Sequence, residues 1–256
     1  MVVLGIDIGG SGIKGAPVDL STGVFSSDRV RIETPQPADV PSVVKTVAAV
    51  AGHFPPATSV GITFPAVVQH GVTKTAANVD QSWVDAPAEQ LFTEALGRPV
   101  TVLNDADAAG VAEMEYGAGK GVAGLVVMVT FGTGIGSALF IDGTLVPNTE
   151  LGHVHMSGLH LHGGDAEDYA SDRIREQQEL DWEQWGVRVQ TYLRHLHGLL
   201  WPDLIIIGGG VSKKADRYLH YVDVPTKVVP ATLQNNAGIV GAALLAERRR
   251  TMQASG

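Results

Sequence analysis

The apolar residues of this chain form two kinds of pattern. Short apolar runs rich in Val and Ile predict strands, at 2–8, 13–19, 28–33, 59–64, 99–105, 124–130, 137–141, 204–207 and 226–230. Apolar residues at helical spacing predict helices, over 39–54, 106–116, 167–200 with an uncertain middle, and 237–250. Strands that alternate with helices are typical of an α/β fold.

The opening of the chain recurs in its second half. A buried strand leads into the glycine turn 9–13, and a second buried strand leads into the glycine turn 132–136. Each turn is followed by another strand, and the second copy ends at Asp142-Gly143, a two-residue hairpin signal. The repeat predicts an α/β fold of two lobes with a functional cleft between them. We place these lobes at 1–107 and 108–256, with the option that the last helix returns to the first lobe.

Composition narrows the classes of partner. Of the 256 residues 45% are hydrophobic, none is cysteine, and the net charge is −9. The acidic balance disfavours nucleic acid and anionic membranes as partners. The absence of cysteine excludes disulfides and thiolate metal sites. The start of the chain carries no basic segment or cleavage site, so we expect a cytoplasmic protein. Any polyanion must then be held by local cations, for which the candidates are Lys14, Lys120, Lys213, Lys214 and Arg217.

Both glycine turns have the composition of phosphate-binding loops. Glycine lets backbone N–H groups approach a phosphate closely, and Ser11 and Thr133 add hydroxyl donors. Asp7 ends the first strand, where its carboxylate could hold Mg²⁺ directly or through water. The alternative is a pair of hairpins that merely need glycine. The predicted phosphate-binding residues are Asp7, Gly9, Gly10, Ser11, Gly12 and Lys14 in the first loop, and Thr130, Gly132, Thr133 and Gly134 in the second.

Asn104 and Asp105 follow a buried strand and precede a helix. A carboxylate there can accept the proton of a sugar hydroxyl while phosphate is transferred, with Asn104 holding a neighbouring hydroxyl. The alternative is an ordinary helix N-cap.

A second polar group follows the second glycine turn. Glu150, His153 and the later Glu167 are suited to bridging vicinal hydroxyls of a hexose. Surface polarity is the alternative for these three residues. Histidines recur at 153, 155, 160 and 162, where a zinc cluster or an ordinary loop are the other interpretations.

Ordered motifs along nearly the whole chain resemble the ROK family of sugar kinases and sugar-responsive repressors, and within it the bacterial polyphosphate glucokinases. These motifs are Asp7-Ile-Gly-Gly-Ser-Gly-Ile-Lys14, Thr75-Ala-Ala-Asn78, Leu103-Asn-Asp-Ala-Asp-Ala-Ala109, Tyr116-Gly-Ala-Gly-Lys120, Thr130-Phe-Gly-Thr-Gly-Ile-Gly136, Pro147-Asn-Thr-Glu-Leu-Gly-His153, Trp201-Pro-Asp203, Gly208-Gly-Gly-Val-Ser-Lys-Lys214 and Leu233-Gln-Asn-Asn-Ala-Gly-Ile-Val-Gly241.

The resemblance implies a two-lobed, actin-like (ribonuclease-H-like) fold, Asp105 as catalytic base, Mg²⁺ supported by Asp7, and a homodimer. It implies that both glycine loops hold the phosphoryl donor and that Gly208, Gly209 and Gly210 line the place of a nucleotide. It implies glucose contacts from Asn78, Asn104, Glu150, His153 and Glu167, with Pro65 and Ala66 near the same sugar.

The chain departs from the family pattern in three places. Leu159-His-Leu-His-Gly-Gly-Asp165 contains no cysteine where many members hold zinc, so no structural zinc is expected. Ala66 stands where the family usually has glycine, and extra histidines follow His153.

The resemblance implies a glucokinase that uses inorganic polyphosphate, with ATP as a further donor, and phosphorylates the 6-hydroxyl of glucose. Lys120, Lys213, Lys214 and Arg217 could supply a basic track for polyphosphate. The alternatives are an ATP-dependent hexokinase for glucose, mannose or fructose, a non-catalytic sugar-sensing repressor, and an actin-like ATPase or filament protein. A repressor would carry an amino-terminal helix-turn-helix, whereas the first strand is expected to start at Val2.

Overall fold

The computed structural model describes residues 2–76, 79–156 and 164–254. The chain forms two compact units, one comprising Met1–Ala112 with Asn236–Gly256 and the other Glu113–Asn235. The lobe bounds predicted from sequence stay a prediction. Within the described residues, no helix is long and apolar enough to cross a membrane.

The first unit contains a mixed sheet. Its strands are β1 (Val2–Gly9), β2 (Gly12–Asp19), β3 (Val24–Phe25), β4 (Val30–Ile32) and β5 (Val60–Phe64), and the segments β6 (Val68–Gln69) and β7 (Val72–Thr73) form a separate hairpin before β8 (Val100–Asn104). The sheet order is β3-β2-β1-β5-β8, with β4 also paired to β2. Strands β1 and β2 are antiparallel, whereas β1, β5 and β8 run parallel.

The second unit repeats this order. Its strands are β9 (Leu125–Phe131), β10 (Ile135–Ile141), β11 (Thr144–Val146), β12 (Leu204–Gly209) and β13 (Lys227–Pro230), arranged β11-β10-β9-β12-β13. Again an antiparallel hairpin is followed by two parallel strands. The repeat predicted from the two glycine turns is therefore confirmed, and Asp142-Gly143 does form the β10–β11 turn, with positive φ at both residues.

The helices are α1 (Val40–Ala51), α2 (Ala88–Leu96), α3 (Asp105–Tyr116), α4 (Glu167–Ala170), α5 (Asp172–Gln177), α6 (Trp182–Leu200) and α7 (Ala237–Ala254). The helical pattern predicted over 167–200 is broken into three helices by two caps. Ser171 is extended and caps α5 through its hydroxyl, and Asp181 forms a capping box with Gln184 at the start of α6. The nine-residue α2, which the sequence analysis did not predict, is bounded by Pro87 and by Gly97 at φ 62°.

Each unit buries its own aromatic core. In the first unit Trp83 packs between Phe64 and Phe92, and its indole N–H donates to the carbonyl oxygen of Ala38. In the second unit Phe131 and Trp185 meet edge to face. The buried indole N–H of Trp83 needs a carbonyl partner such as that of Ala38, because burial removes its hydrogen bond to water.

Helix α7 lies directly on the backbone of the first sheet. A Cβ at Gly5 of β1 would meet the carbonyl of Ile239, and one at Gly61 of β5 would meet the carbonyl of Ala242. The helix makes its own close approach at Gly241, which faces the carbonyl of Ala108 in α3. This packing brings the amino end of α7 to the edge of the sheet where β1 ends, and a Cβ at Gly238 would lie 3.2 Å from Asp7 Oδ1.

Gly61→Ala should lower the free energy of unfolding by about 1–3 kcal/mol, because the added methyl group forces α7 away from β5. Urea denaturation followed by circular dichroism measures this change. Gly198→Ala is the matched control. Gly198 lies exposed within α6 with open space at its Cβ position, so the same substitution should raise stability by about 0.5–1 kcal/mol. Equal effects of the two variants would contradict the close-packing account.

Candidate active site

The first glycine loop is a two-residue turn. Gly9 pairs with Gly12 at the end of the β1–β2 ladder, and Gly10 and Ser11 are exposed at its tip. Arg31 donates from its guanidinium to the carbonyl oxygen of Ser11, and Thr34 donates its hydroxyl to that of Gly9. Both bonds use carbonyl oxygens of the loop and neither uses its backbone N–H groups. The turn is thus fixed through its carbonyl groups.

Asp7 lies beside this turn with both carboxylate oxygens engaged. Its Oδ1 accepts a hydrogen bond from Thr63 on the adjacent parallel strand at 2.7 Å, and its Oδ2 is 3.5 Å from Lys14 Nζ on the antiparallel neighbour. Mg²⁺ usually keeps several waters and takes the rest of its ligands from substrate phosphates. The Asp7 carboxylate, which already pairs with Lys14, is therefore suited to contact a Mg²⁺ ion through one of those waters. Among the described residues, no group of three or more His, Asp or Glu side chains could by itself hold a metal ion.

The side-chain amide of Asn104 joins three pieces of the first unit. Its Oδ1 accepts from the N–H groups of Ala106 and Asp107, which caps α3, and its Nδ2 donates to the carbonyl oxygen of Ala66 at 3.2 Å. The helix-cap alternative therefore describes Asn104 correctly. Asp105 is the first residue of α3, and it is exposed. The buried Ala66 and the preceding Pro65 form the turn after β5.

The first-unit residues share one sheet edge. Because β1, β5 and β8 are parallel, Asp7, the turn at Pro65 and Asn104-Asp105 all lie at carboxyl ends of strands. Ligands of open α/β sheets bind at such ends.

The second glycine loop spans residues 132–134 between β9 and β10. The N–H of Arg173 donates to the carbonyl oxygen of Gly132 at 3.1 Å, and its Nε donates to that of Thr133 at 2.8 Å. Glu167 Oε2 accepts from the N–H of Ile135 at 3.2 Å, and a Cβ at Gly134 would lie 2.5 Å from that same oxygen. A side chain at position 134 would therefore displace the carboxylate of Glu167, which lies over the loop.

Four polar side chains gather next to this loop. His153 Nδ1 lies 3.1 Å from Asp165 Oδ2, and its Nε2 lies 3.9 Å from Glu150 Oε2. Glu167 is close enough to act on both Glu150 and His153 through its charge. Asp165 was missed by the sequence analysis. Its backbone forms an isolated bridge with His155, a pairing across ten residues that no helix or strand pattern signals.

Burial and charge shift the titration of this group. Burial raises the pKa of Glu150, an effect that His153 opposes and Glu167 reinforces. For His153, burial alone would lower the pKa, but the hydrogen bond to Asp165 and the charges of Glu167, Glu150 and Asp165 outweigh it and raise the pKa. The imidazole is thereby favoured in its protonated, donating form.

The remaining predicted residues lie in the second unit or outside the described residues. Gly208 and Gly209 end β12 beside Thr130 and Phe131. Gly209 has φ 78°, and a Cβ there would meet the backbone of Phe131. Lys120 follows α3, and Lys213 and Lys214 follow Gly210; all three lysines are exposed. Asn78, His160 and His162 lie outside the described residues, so their predicted roles and the zinc question stay predictions.

Comparison with known proteins places the chain among sugar kinases. Residues 3–173 match the model of the ROK family. A polyphosphate glucokinase of Mycobacterium tuberculosis (strain CDC 1551 / Oshkosh) is 51% identical over 241 residues, which cover 94% of this chain and 89% of the relative.

Two solved structures have the same fold. One is an inorganic polyphosphate/ATP-glucomannokinase from Arthrobacter sp. strain KM, with TM-score 0.91, 50% identity, and coverage of 97% of this chain and 99% of that one. The other is a ROK family glucokinase from Streptomyces griseus in complex with glucose and AMPPNP, with TM-score 0.83, 25% identity, and coverage of 97% and 100%. The predicted two-lobed, actin-like α/β fold is confirmed.

Asp165→Asn should lower the pKa of His153, because it removes both a hydrogen bond to the imidazole and a negative charge. Titration of the histidine Cε1–H signals by NMR measures the shift. In the wild-type protein, the stability that protonated His153 contributes is present below about pH 6.5 and is lost as the pH rises through the raised pKa. Asp168→Asn removes a nearby carboxylate that pairs with Arg173 instead, and it should leave the His153 titration almost unchanged. An unaltered titration in Asp165→Asn would contradict the geometry.

Proposed function

Because this chain belongs to the ROK family, we propose that it is a glucokinase that transfers a phosphoryl group from inorganic polyphosphate to the 6-hydroxyl of glucose. The observation that carries the proposal is the position of Asp105. Its carboxylate follows β8 at the same sheet edge at which β1 delivers Asp7 and the first glycine turn. A base and a phosphate-binding turn at one edge are what phosphoryl transfer to an alcohol requires. The names of the relatives described above supply the substrates.

Asp105 accepts the proton of the 6-hydroxyl as its oxygen attacks the terminal phosphorus. A new bond forms between that oxygen and phosphorus, and the bond from phosphorus to the bridging oxygen breaks. The products are glucose 6-phosphate and a polyphosphate shortened by one unit. The backbone N–H groups of the two glycine turns and the ammonium group of Lys14 stabilise the charge on the transferring group.

We assign glucose binding to the second-unit cluster, and Asn104 to the same sugar on the strength of the motif Leu103-Asn-Asp-Ala-Asp-Ala-Ala109. Protonated His153 donates to one sugar hydroxyl, and Glu150 and Glu167 accept from others. The Asn104 amide uses one hydrogen for the carbonyl of Ala66, which leaves its second hydrogen for a sugar hydroxyl. Water must be excluded from the bound sugar so that phosphate is transferred to glucose rather than hydrolysed. Asn78 is assigned to the same sugar on the strength of the motif Thr75-Ala-Ala-Asn78.

Magnesium is the expected metal of the reaction. Bound through water near Asp7, it would neutralise charge on the donor's phosphate oxygens. The ammonium group of Lys14 pairs with the carboxylate of Asp7 and supplies a second positive charge near the donor's terminal phosphates.

ATP is a second candidate donor. Of the three glycines at 208–210, which follow strand β12 beside the second glycine turn, Gly210 has open space at its Cβ position, which suits the approach of a nucleotide. Three further points stay predictions: which of glucose, mannose and fructose are accepted, the homodimer, and the cytoplasmic location.

Purified protein should be incubated with Mg²⁺ and each of glucose, mannose and fructose, with long-chain polyphosphate and ATP supplied separately, and the sugar 6-phosphate measured. We expect product from glucose with polyphosphate. No product from any sugar with either donor would overturn the proposal. ATP hydrolysis that is indifferent to sugar would favour an actin-like ATPase, and sugar-dependent binding to promoter DNA without product would favour a repressor.

A further inference from the structure

Three cationic side chains surround the ring of Trp182 in the second unit. The guanidinium carbon of Arg175 lies 4.5 Å from the ring centroid, Lys214 Nζ lies 5.5 Å from it, and the guanidinium carbon of Arg217 lies 5.8 Å from it. Trp182 itself stacks on the buried ring of Tyr218, with the centroids 6.0 Å apart and the planes 21° from parallel. The indole therefore forms a fixed platform for the cations, which its π electrons attract.

The three cations differ in their exposure and their partners. The side chain of Arg175 is 14% exposed and pairs with Asp172 at 2.6 Å and Glu176 at 2.9 Å, so its charge is balanced and it belongs to the platform. Lys214 and Arg217 are exposed. Within the part of the chain that the structure describes, neither forms an ion pair with a carboxylate. On a protein of net charge −9, Lys213, Lys214 and Arg217 form a local cationic surface, with Asp216 as the one carboxylate of the segment 213–217.

Two short chain segments link the Trp182 platform to the second glycine turn. The segment Gly210–Arg217, two short 3₁₀ turns that meet at a kink at Lys214, follows β12, whose Gly209 pairs with Phe131 next to the turn. At a rise near 2 Å per residue, Lys214 lies on the order of 10 Å along this segment from Gly210. The other segment is α5, in which Arg173 holds the carbonyls of the turn and Arg175 contacts Trp182. All of these residues belong to one compact unit.

We propose that Lys214 and Arg217, held on the Trp182 platform, bind the distal phosphates of a polyphosphate chain whose terminal phosphates lie at the 132–134 turn. This proposal rests on the proposed function for the placement of the chain's end. A linear polyanion carries a charge on every unit, so a second cationic site some distance from the reacting phosphate binds long chains and has little to hold in a triphosphate. Exposed Lys213 extends the same surface.

The double variant Lys214→Gln/Arg217→Gln tests this assignment. We expect the KM for long-chain polyphosphate to rise roughly 3- to 30-fold, from the loss of two exposed charge contacts. The change in KM for tripolyphosphate and for ATP should be several-fold smaller. Added salt should weaken the binding of long chains to the wild-type protein more than to the variant. Lys214→Arg/Arg217→Lys keeps both charges and should retain most of the affinity for long chains.

Arg194→Gln is the matched control, because Arg194 is an exposed arginine of α6 whose partner is Asp223. It makes the same kind of charge change and should leave the KM for long polyphosphate as in the wild type. An unchanged KM in the double variant, or an equal rise for long chains and for ATP, would overturn the proposal.

A binding measurement separates this proposal from the proposed function. Titration calorimetry with long-chain polyphosphate and no sugar should show weaker binding to the double variant than to the wild type, whether or not the protein turns over. If the wild type binds long chains through these residues but forms no sugar phosphate, the proposed function fails and the binding site stands. If polyphosphate binds the wild type and the double variant equally, the binding site fails.

Discussion

The side-chain amide of Asn104 holds the start of α3, and the position of Asp105 depends on it. One oxygen accepts two backbone N–H groups of the helix, and the nitrogen donates to the turn after β5. A buried amide that satisfies a helix end and a loop at once fixes both, because losing either bond would leave a buried polar group unpaired. The residue after such a cap begins the helix, and here that residue is an exposed carboxylate at the carboxyl edge of a parallel sheet. The chemistry proposed for Asp105 thus depends on a structural role that Asn104 performs.

The two units share the strand order of their sheets and the way in which their glycine turns are fixed. Both sheets have the order of an antiparallel hairpin followed by two parallel strands, so each presents a glycine turn and strand ends along one edge. In the first unit the turn is fixed through its carbonyls by Arg31 and Thr34, and in the second by Arg173. Holding a loop by its carbonyl groups shapes it for an anion, which binds N–H groups. Arg173 also belongs to the short helix that carries Arg175 to Trp182, so loop geometry and the proposed polyphosphate surface share one support.

Local patterns predicted much of this arrangement. Short-range patterns of apolar residues and turn-forming residues predicted the strands, the two glycine turns and the Asn104-Asp105 junction. The breaks within 167–200 came from the caps at Ser171 and Asp181, which compete with a continuous helical pattern. Asp165 and the Trp182 platform could not be found in this way, because each depends on contacts between segments far apart in sequence. The predicted roles of the individual site residues therefore need direct tests.

The most direct test of the central claim is the rate of glucose 6-phosphate formation from polyphosphate by Asp105→Asn. The account predicts that the rate falls about 10²- to 10⁴-fold, as expected for loss of a general base, while the thermal midpoint and glucose binding are retained. Asp181→Asn makes the same change at the exposed start of α6 and should keep the wild-type rate. Near-normal turnover by a folded Asp105→Asn protein would contradict the account.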